Sequence, residues 1–112
     1  MNINEWQEKV DLWISNYGVR YFDVKTNTIL LMEEVGELAR LIARIYGEQS
    51  FKQAISDLEQ KKMLSEELGD IVFVLTCIAN QTGIDLETTL AENLKKKTLR
   101  DGERHHRNPK LG

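Results

Sequence analysis

Two pairs of acidic residues occupy positions where the surrounding pattern predicts core side chains. The first pair has the spacing Glu34-x-x-Glu37 and the second has the spacing Glu67-x-x-Asp70. Residues three apart share one face of a helix, so each pair presents two carboxylates side by side. Ionised carboxylates cannot remain clustered and buried without a positive partner. The fold must therefore bring a compensating charge to these four acids or leave them in solvent.

The neighbours of the acids follow the helical period on both segments. Each pair continues a row that steps by three and four, which is the spacing of a core-facing helix face. The rows are Leu30, Glu34, Glu37, Leu41 and Ile45 on one helix and Met63, Glu67, Asp70, Val74 and Cys77 on the other. A divalent cation would supply the missing charge, and hard oxygen ligands select magnesium, manganese or calcium. The alternative is a solvated acidic face, which is common for a single pair on an amphipathic helix.

These motifs and the segments after them resemble the MazG-type nucleotide pyrophosphohydrolases of the all-α NTP-pyrophosphatase superfamily. The family pattern E-E-x-x-E stands at residues 33–37 and E-x-x-D at residues 67–70. The similarity continues through Gly-Glu-Leu-Ala-Arg, Asp-Ile-Val-Phe-Val-Leu and a basic segment at residues 93–101, and covers roughly residues 20–105. The resemblance implies an all-α, four-helix-bundle-like MazG fold that is completed by homo-oligomerisation, as a homodimer or homotetramer.

The resemblance also implies an activity and the residues that perform it. The expected reaction is Mg²⁺-dependent hydrolysis of an NTP or dNTP, standard or non-standard, to a nucleoside monophosphate and pyrophosphate, with Mn²⁺ as a substitute cation. Water would attack with metal assistance. The expected metal ligands and catalytic acids are Glu34, Glu37, Glu67 and Asp70. Glu33, where the family motif begins, is a further catalytic candidate, and Glu66 is its alternative; either residue could also be a plain surface acid.

Charge is distributed unevenly along the chain. The segment Lys95–Gly112 contains seven Lys or Arg and two acids, so its net charge is +5. Because the whole chain has a net charge of −3, the remaining residues carry −8. Cations near an acidic metal site suit a bound polyphosphate. The candidate phosphate ligands are Asn93, Lys97 and Arg100, with Lys96 competing with Lys97 because the run of three lysines leaves the register open. A solvated basic tail is the alternative beyond residue 104.

Aromatic residues before the first acidic motif are candidates for contact with the nucleobase. Phe22 and Tyr21 lie in a predicted connection between helices, and Phe22 is the substrate-binding candidate of the two because a base can stack on its ring. Trp6 and Trp13 fit the helical core period and are predicted to pack inside the protein. The sequence does not distinguish purine from pyrimidine, or ribose from deoxyribose.

Composition and helix signals predict one all-helical domain over residues 1–112. One proline and many helix formers favour this fold class. Residues 48–60 are expected to form a short helix or an excursion, and residues 102–112 an irregular tail. The segment Ile71–Ala79 is apolar on every side, which predicts a subunit interface, with a two-fold dimer expected first. The long helices are expected at about Asn4–Tyr17, from residue 24 or 26 to Tyr46, at about Gln60–Thr82 and from Leu86 to about Thr98.

Other classes of protein fit the sequence less well. There is no apolar signal segment and no apolar run long enough for a bilayer, so we expect a cytoplasmic protein without a membrane or nucleic-acid polymer as partner. Cys77 lacks the electropositive setting of a nucleophile, and no glycine-rich phosphate loop occurs. Two rivals remain. A carboxylate-bridged di-iron bundle normally needs E-x-x-H motifs, and a non-enzymatic helical metal-binding or interaction module would leave the acids as surface features.

Overall fold

The computed structural model of the protein describes residues 1–48 and 50–111, and within these ranges all regular structure is helical. The long helices are α1 (Ile3–Trp13), α2 (Val24–Tyr46), α3 (Asp57–Gln81) and α4 (Leu86–His106), and a π-helical segment at Ile14–Gly18 continues α1. The all-α prediction is confirmed. Residues 48 and 50–56 contain no helix, so the segment before α3 is an excursion. Gln49 and Gly112, which belong to the predicted excursion and tail, lie outside the described residues.

Side-chain caps fix where each long helix begins. An N-terminal cap satisfies a backbone N–H that has no partner inside the helix and typically contributes about 1 kcal/mol. Helix α3 was expected to begin at about Gln60. It begins at Asp57 instead, because Ser56 supplies such a cap. The caps are Asn2, Asp23, Ser56 and Asp85, whose side chains accept hydrogen bonds from the backbone N–H groups of Glu5, Thr26, Glu59 and Thr88.

Two glycines end the motif helices for different reasons. Gly47 follows α2 as predicted, with an ordinary negative φ of −97°. A Cβ at this position would lie 2.5 Å from the carbonyl oxygen of Ala43, so glycine is required by a close approach of the backbone. Gly83, after α3, has a φ of +70°, a left-handed conformation that glycine adopts without strain.

Helices α2 and α3 form an antiparallel hairpin, and α1 packs across α3. The start of α2 and the end of α3 are joined by a hydrogen bond of 2.7 Å between the side chains of Asn27 and Gln81. The small core contains Val10, Ile14 and Cys77. Burial raises the pKa of the Cys77 thiol, in agreement with the predicted core position.

The aromatic residues of the first helical segment divide between core and surface. Trp6 packs against the core, and its indole N–H donates to the Thr76 hydroxyl at 2.7 Å. The predicted core position of Trp13 is only half right, since its side chain is 49% exposed and meets Phe73 edge-on. Ile14, four residues after Val10, packs in the core, whereas Tyr17 inside the π-helical segment is exposed.

Helix α4 makes its main contacts with α1 and extends away from the hairpin. Every residue from 87 to 100 is exposed. The radius of gyration is 17.8 Å, whereas a compact domain of 100 residues has a value of about 13 Å. The helix also continues past Thr98 to His106, so the irregular tail begins at Arg107 and the prediction of an irregular segment from residue 102 was wrong.

Large apolar side chains remain exposed on both helices of the hairpin. Helix α2 exposes Ile29 and Met32, and α3 exposes Leu68 and Val72 at about half of their surface or more. The apolar middle of α3, predicted from sequence to need cover on all sides, is therefore only partly covered within one chain. No helix in the described residues is long and apolar enough to cross a bilayer.

Candidate metal centre

The two acid pairs meet across the middle of the α2–α3 hairpin. One carboxylate oxygen each from Glu34, Glu67 and Asp70 lies within 4.8 Å of the other two. Burial differs among them, since Glu67 is buried, Glu34 is half-buried and Asp70 is exposed. The cluster therefore has a closed inner end between the helices and an outer end that is open to solvent.

Two oxygens at the inner end lack hydrogen-bond partners. Oε2 of Glu34 and Oε1 of Glu67 are both buried, and no donor group of another residue in the described ranges reaches either oxygen. Buried polar atoms in folded proteins nearly always have a partner, so each orphan requires an explanation. The ion pairs found within residues 1–48 and 50–111 lie on α4 or join it to Arg107 just beyond its end, and involve none of these acids. The described part of the hairpin thus gathers negative charge without an ion pair to any of these acids.

The clustering changes the acidity of Glu67. Its pKa rises from an ordinary value of 4.5 to about 8, first because the neighbouring Glu34 carboxyl favours a shared proton, then because of burial and the negative charges of Glu34 and Glu37. Without a cation, Glu67 therefore holds a proton at neutral pH. A cation that binds the cluster would take the place of this proton, since metal ligands bind in their deprotonated form.

The donor set fits a hard divalent cation. All the gathered atoms are carboxylate oxygens, which suit magnesium, manganese and calcium and not the softer metals. Three of the four predicted ligands come together, and Glu37 lies beside them, close enough to raise the pKa of Glu67. Glu33 and Glu66 are exposed next to the cluster. The two histidines of the chain lie in the last turn of α4, which disfavours the di-iron interpretation.

The predicted phosphate ligands are not brought to the acids within one chain. Asn93, Lys96, Lys97 and Arg100 are all exposed on the part of α4 that extends away from the hairpin. Arg100 makes a short-range ion pair of 3.3 Å with its neighbour Asp101. These side chains remain available to a ligand or to another subunit.

Phe22 lies on the wall of a cavity beside the acidic cluster. The cavity has a volume of about 290 Å³ and is lined by Trp13, Tyr21, Phe22, Phe73 and aliphatic side chains. Phe22 is 58% exposed, so its ring remains available for stacking. The cavity also includes Leu30 and Val74, which stand one helical turn from Glu34 and Asp70.

Asn27 is a cavity residue that sequence reasoning did not select. It is buried, with 5% exposure, although asparagine in the first turn of a helix is ordinarily a surface residue. A signal was present, because Asn27 precedes Leu30 by three and so extends the core-facing row that contains Glu34 and Glu37.

The chain has known relatives in both sequence and structure. The profile of the MazG nucleotide pyrophosphohydrolase domain matches residues 22–105. YpjD of Bacillus subtilis, an uncharacterised protein, is 38% identical over 98 residues, which cover 88% of this chain and 85% of YpjD. YvdC of the same organism, also uncharacterised, is 36% identical over 72 residues, which cover 62% of this chain and 68% of YvdC. The chain belongs to the MazG nucleotide pyrophosphohydrolase family.

Solved structures agree with this assignment. The crystal structure of YpjD matches with a TM-score of 0.76 and 36% identity, over 86% of this chain and 94% of that one. A Bacillus-conserved MazG protein, described as a nucleotide pyrophosphohydrolase, matches with a TM-score of 0.73 and 34% identity, over 92% and 96%. The MazG-like fold is thereby confirmed, and the protein is an enzyme that hydrolyses phosphoanhydrides. The alternative of a non-enzymatic module is set aside.

Proposed function

We propose that the protein hydrolyses nucleoside triphosphates, either NTPs or dNTPs, to a nucleoside monophosphate and pyrophosphate with Mg²⁺ at the acidic cluster. The observation that carries this proposal is the pair of orphan oxygens, Glu34 Oε2 and Glu67 Oε1, buried between two motif helices of a nucleotide pyrophosphohydrolase. A bound divalent cation would satisfy both oxygens. It would also neutralise charge on phosphate oxygens and lower the pKa of water.

The roles proposed for the acids follow from their different burial. Glu34 and Glu67, at the inner end, hold the cation against the hairpin, and the exposed Asp70 completes the ligand set at the open end where substrate enters. Glu37, which lies beside Glu67, is the fourth ligand. Glu33 is exposed at the margin of the cluster, where its carboxylate can orient the attacking water. Mn²⁺ should replace Mg²⁺, because both cations prefer oxygen ligands.

We propose further that the active protein is a homodimer or homotetramer. The exposed apolar side chains of α2 and α3, among them Met32 and Leu68, need cover that one chain does not provide. Helix α4, with every residue from 87 to 100 exposed, likewise lacks a surface to pack on. Light scattering after size-exclusion chromatography measures the state directly, and a monomer at micromolar concentration would contradict the proposal.

The phosphate-binding row belongs to this assembly in our proposal. Asn93, Lys97 (or Lys96) and Arg100 do not face the acids of their own chain, so subunit association must bring them to the substrate. Mixing two inactive variants, Asp70→Asn and Arg100→Ala, tests this arrangement. Exchange of subunits should restore part of the activity when acid and arginine come from different chains. An unchanged, inactive mixture would contradict the arrangement.

A substrate screen tests the reaction itself. The eight common NTPs and dNTPs, with several non-standard nucleotides, are incubated with enzyme in Mg²⁺ or in excess EDTA. Monophosphate and pyrophosphate should form together, and only with the cation. Diphosphate and orthophosphate as products would show cleavage between the β and γ phosphates and would contradict the proposed reaction. Equal rates in EDTA would show that the reaction does not need the cation.

A further inference from the structure

Asn27 is held in one orientation by the residues around it. Its amide nitrogen donates to the carbonyl oxygen of Phe22 at 3.3 Å and to Oε1 of Gln81 at 2.7 Å. Both partners are acceptors in these bonds, so the NH₂ group must face them. The Gln81 amide also donates to the Phe22 carbonyl oxygen, which closes a small ring of polar contacts.

The amide oxygen of Asn27 is left without a donor. None of the hydrogen bonds among residues 1–48 and 50–111 ends on this oxygen, although the residue is 95% buried and lines the 290 Å³ cavity. The oxygen is not fully buried, so it keeps some contact with the cavity space, and a ligand in the cavity can supply the N–H that the protein does not.

The remaining polar groups of the cavity are already paired or lie at its exposed side. The Tyr21 hydroxyl donates to Asp11 Oδ1 at 2.6 Å and accepts from the Asn80 amide at 3.0 Å. Arg20 lines the cavity at its exposed side and donates to the Tyr21 carbonyl oxygen. The Asn27 oxygen is therefore the acceptor that a group inside the cavity would meet.

The cavity suits a nucleobase in size, character and position. Its volume of about 290 Å³ falls at the lower limit of ligand pockets, which range from about 300 to 1,000 Å³. Aromatic side chains on its wall can stack on a base. Because Leu30 and Val74 stand one turn from Glu34 and Asp70, a base in the cavity leaves the phosphates near the acids.

We propose that Asn27 selects nucleobases with an exocyclic amino group, cytosine and adenine, over their keto counterparts, uracil and hypoxanthine. This inference rests on the proposed function and adds the base class to it. An amino group donates a hydrogen bond to the Asn27 oxygen. A keto oxygen in the same place faces another acceptor, and both atoms then lose the hydrogen bond that water would have given them.

Matched substrate pairs test the proposal on the unaltered enzyme. CTP and UTP, dCTP and dUTP, and ATP and ITP each differ in amino against keto at one ring carbon, with the adjacent ring nitrogen changing from an acceptor to an N–H donor. The amino member of each pair should have the higher kcat/KM by about 10- to 100-fold, the range expected for one buried hydrogen bond gained or left unmade. This comparison needs no variant, so it remains decisive even if a substitution at Asn27 prevents folding.

Variants separate the role of the oxygen from the role of Asn27 in the fold. Asn27→Ala removes the oxygen and should bring the ratio of kcat/KM between CTP and UTP close to one. Gln81→Ala is the matched control, because it breaks the same polar ring while leaving the Asn27 oxygen in place, and should keep most of the preference. A purely structural Asn27 would lower the melting temperature and both kcat/KM values together, and the unchanged ratio would overturn the proposal.

The outcomes distinguish this proposal from the function on which it rests. Equal hydrolysis within all three pairs would overturn the role of Asn27 and leave the pyrophosphohydrolase function intact. A preference for the keto members would also overturn it, and would point to the donors of Arg20 instead. Failure to hydrolyse any nucleotide with Mg²⁺ would overturn both.

Discussion

The acidic cluster should make the metal-free protein less stable as pH rises, and Glu67 should be the main cause. Its pKa is raised to about 8 from 4.5 by the Glu34 carboxyl, by burial and by neighbouring charge. Between these two values the folded protein binds a proton that the unfolded chain releases. The stabilisation is therefore complete below about pH 4.5 and is lost as pH rises through 8.

The expected size of the effect follows from this linkage. One proton held only by the folded state changes the free energy of unfolding by at most about 1.4 kcal/mol per pH unit. For a domain of this size, 1 kcal/mol shifts the melting temperature by about 4–8 °C. The melting temperature should therefore fall by at most about 6–11 °C per pH unit inside the window.

Thermal denaturation followed by circular dichroism between pH 5 and pH 8 measures this slope. Protein concentration is fixed because subunit association contributes to stability, and EDTA removes cations. Glu67→Gln should flatten the slope, whereas Glu66→Gln, a change at the exposed neighbouring position, should leave it as in the unaltered protein. Parallel pH profiles for Glu67→Gln and the unaltered protein would refute the reasoning. Saturating Mg²⁺ should raise the melting temperature more at pH 8 than at pH 5, since cation and proton compete for the cluster.

Three further sets of substitutions test other parts of the account. Glu37→Gln and Asp70→Asn should each lower kcat by about 100-fold or more while circular dichroism shows an intact helical fold, and normal turnover would remove the residue from the site. Arg100→Lys should lower kcat/KM by about 10-fold and Arg100→Ala by more, because lysine cannot reproduce a bidentate phosphate contact. The control Arg107→Ala, just beyond α4, should change kcat/KM by less than about 2-fold. Equal losses at both arginines would contradict a specific role for Arg100. Gly47→Ala should destabilise the protein by about 1–3 kcal/mol, since its Cβ would meet a backbone oxygen at 2.5 Å, and an unchanged melting temperature would show that the turn adapts freely.

The fold and the centre of the site could largely be predicted from local patterns. The period of the rows through Glu34 and Glu67 placed both acids on facing sides of two helices, and the structure brings them together with Asp70. The capping residue Asp85 likewise gave the start of α4 correctly. These features depend on spacing within one helix and on its ends, which a single sequence displays directly.

Other features depend on contacts that are not local in sequence. The π-helical segment Ile14–Gly18 interrupts the 3.6 period that Trp6 and Trp13 follow, so Tyr17, which is the next position of that period, is 75% exposed. The direction of α4 depends on packing against α1, which its charged sequence does not reveal. Asn27 was missed for the opposite reason, because its polarity suggested surface while its position in the core row indicated burial.

Binding of Mn²⁺ to the protein, followed by electron paramagnetic resonance of the free ion, tests the central claim most directly. Free Mn²⁺ gives a strong signal that is lost on binding, so the titration measures the affinity of the cluster for Mn²⁺ without substrate or turnover. The unaltered protein should bind Mn²⁺ and release it to excess Mg²⁺. Glu67→Gln should weaken Mn²⁺ binding by about 10-fold or more, which is the effect of losing one charge-assisted contact. Glu66→Gln should leave Mn²⁺ binding unchanged. Equal Mn²⁺ affinity in Glu67→Gln and the unaltered protein would contradict a cation site between α2 and α3.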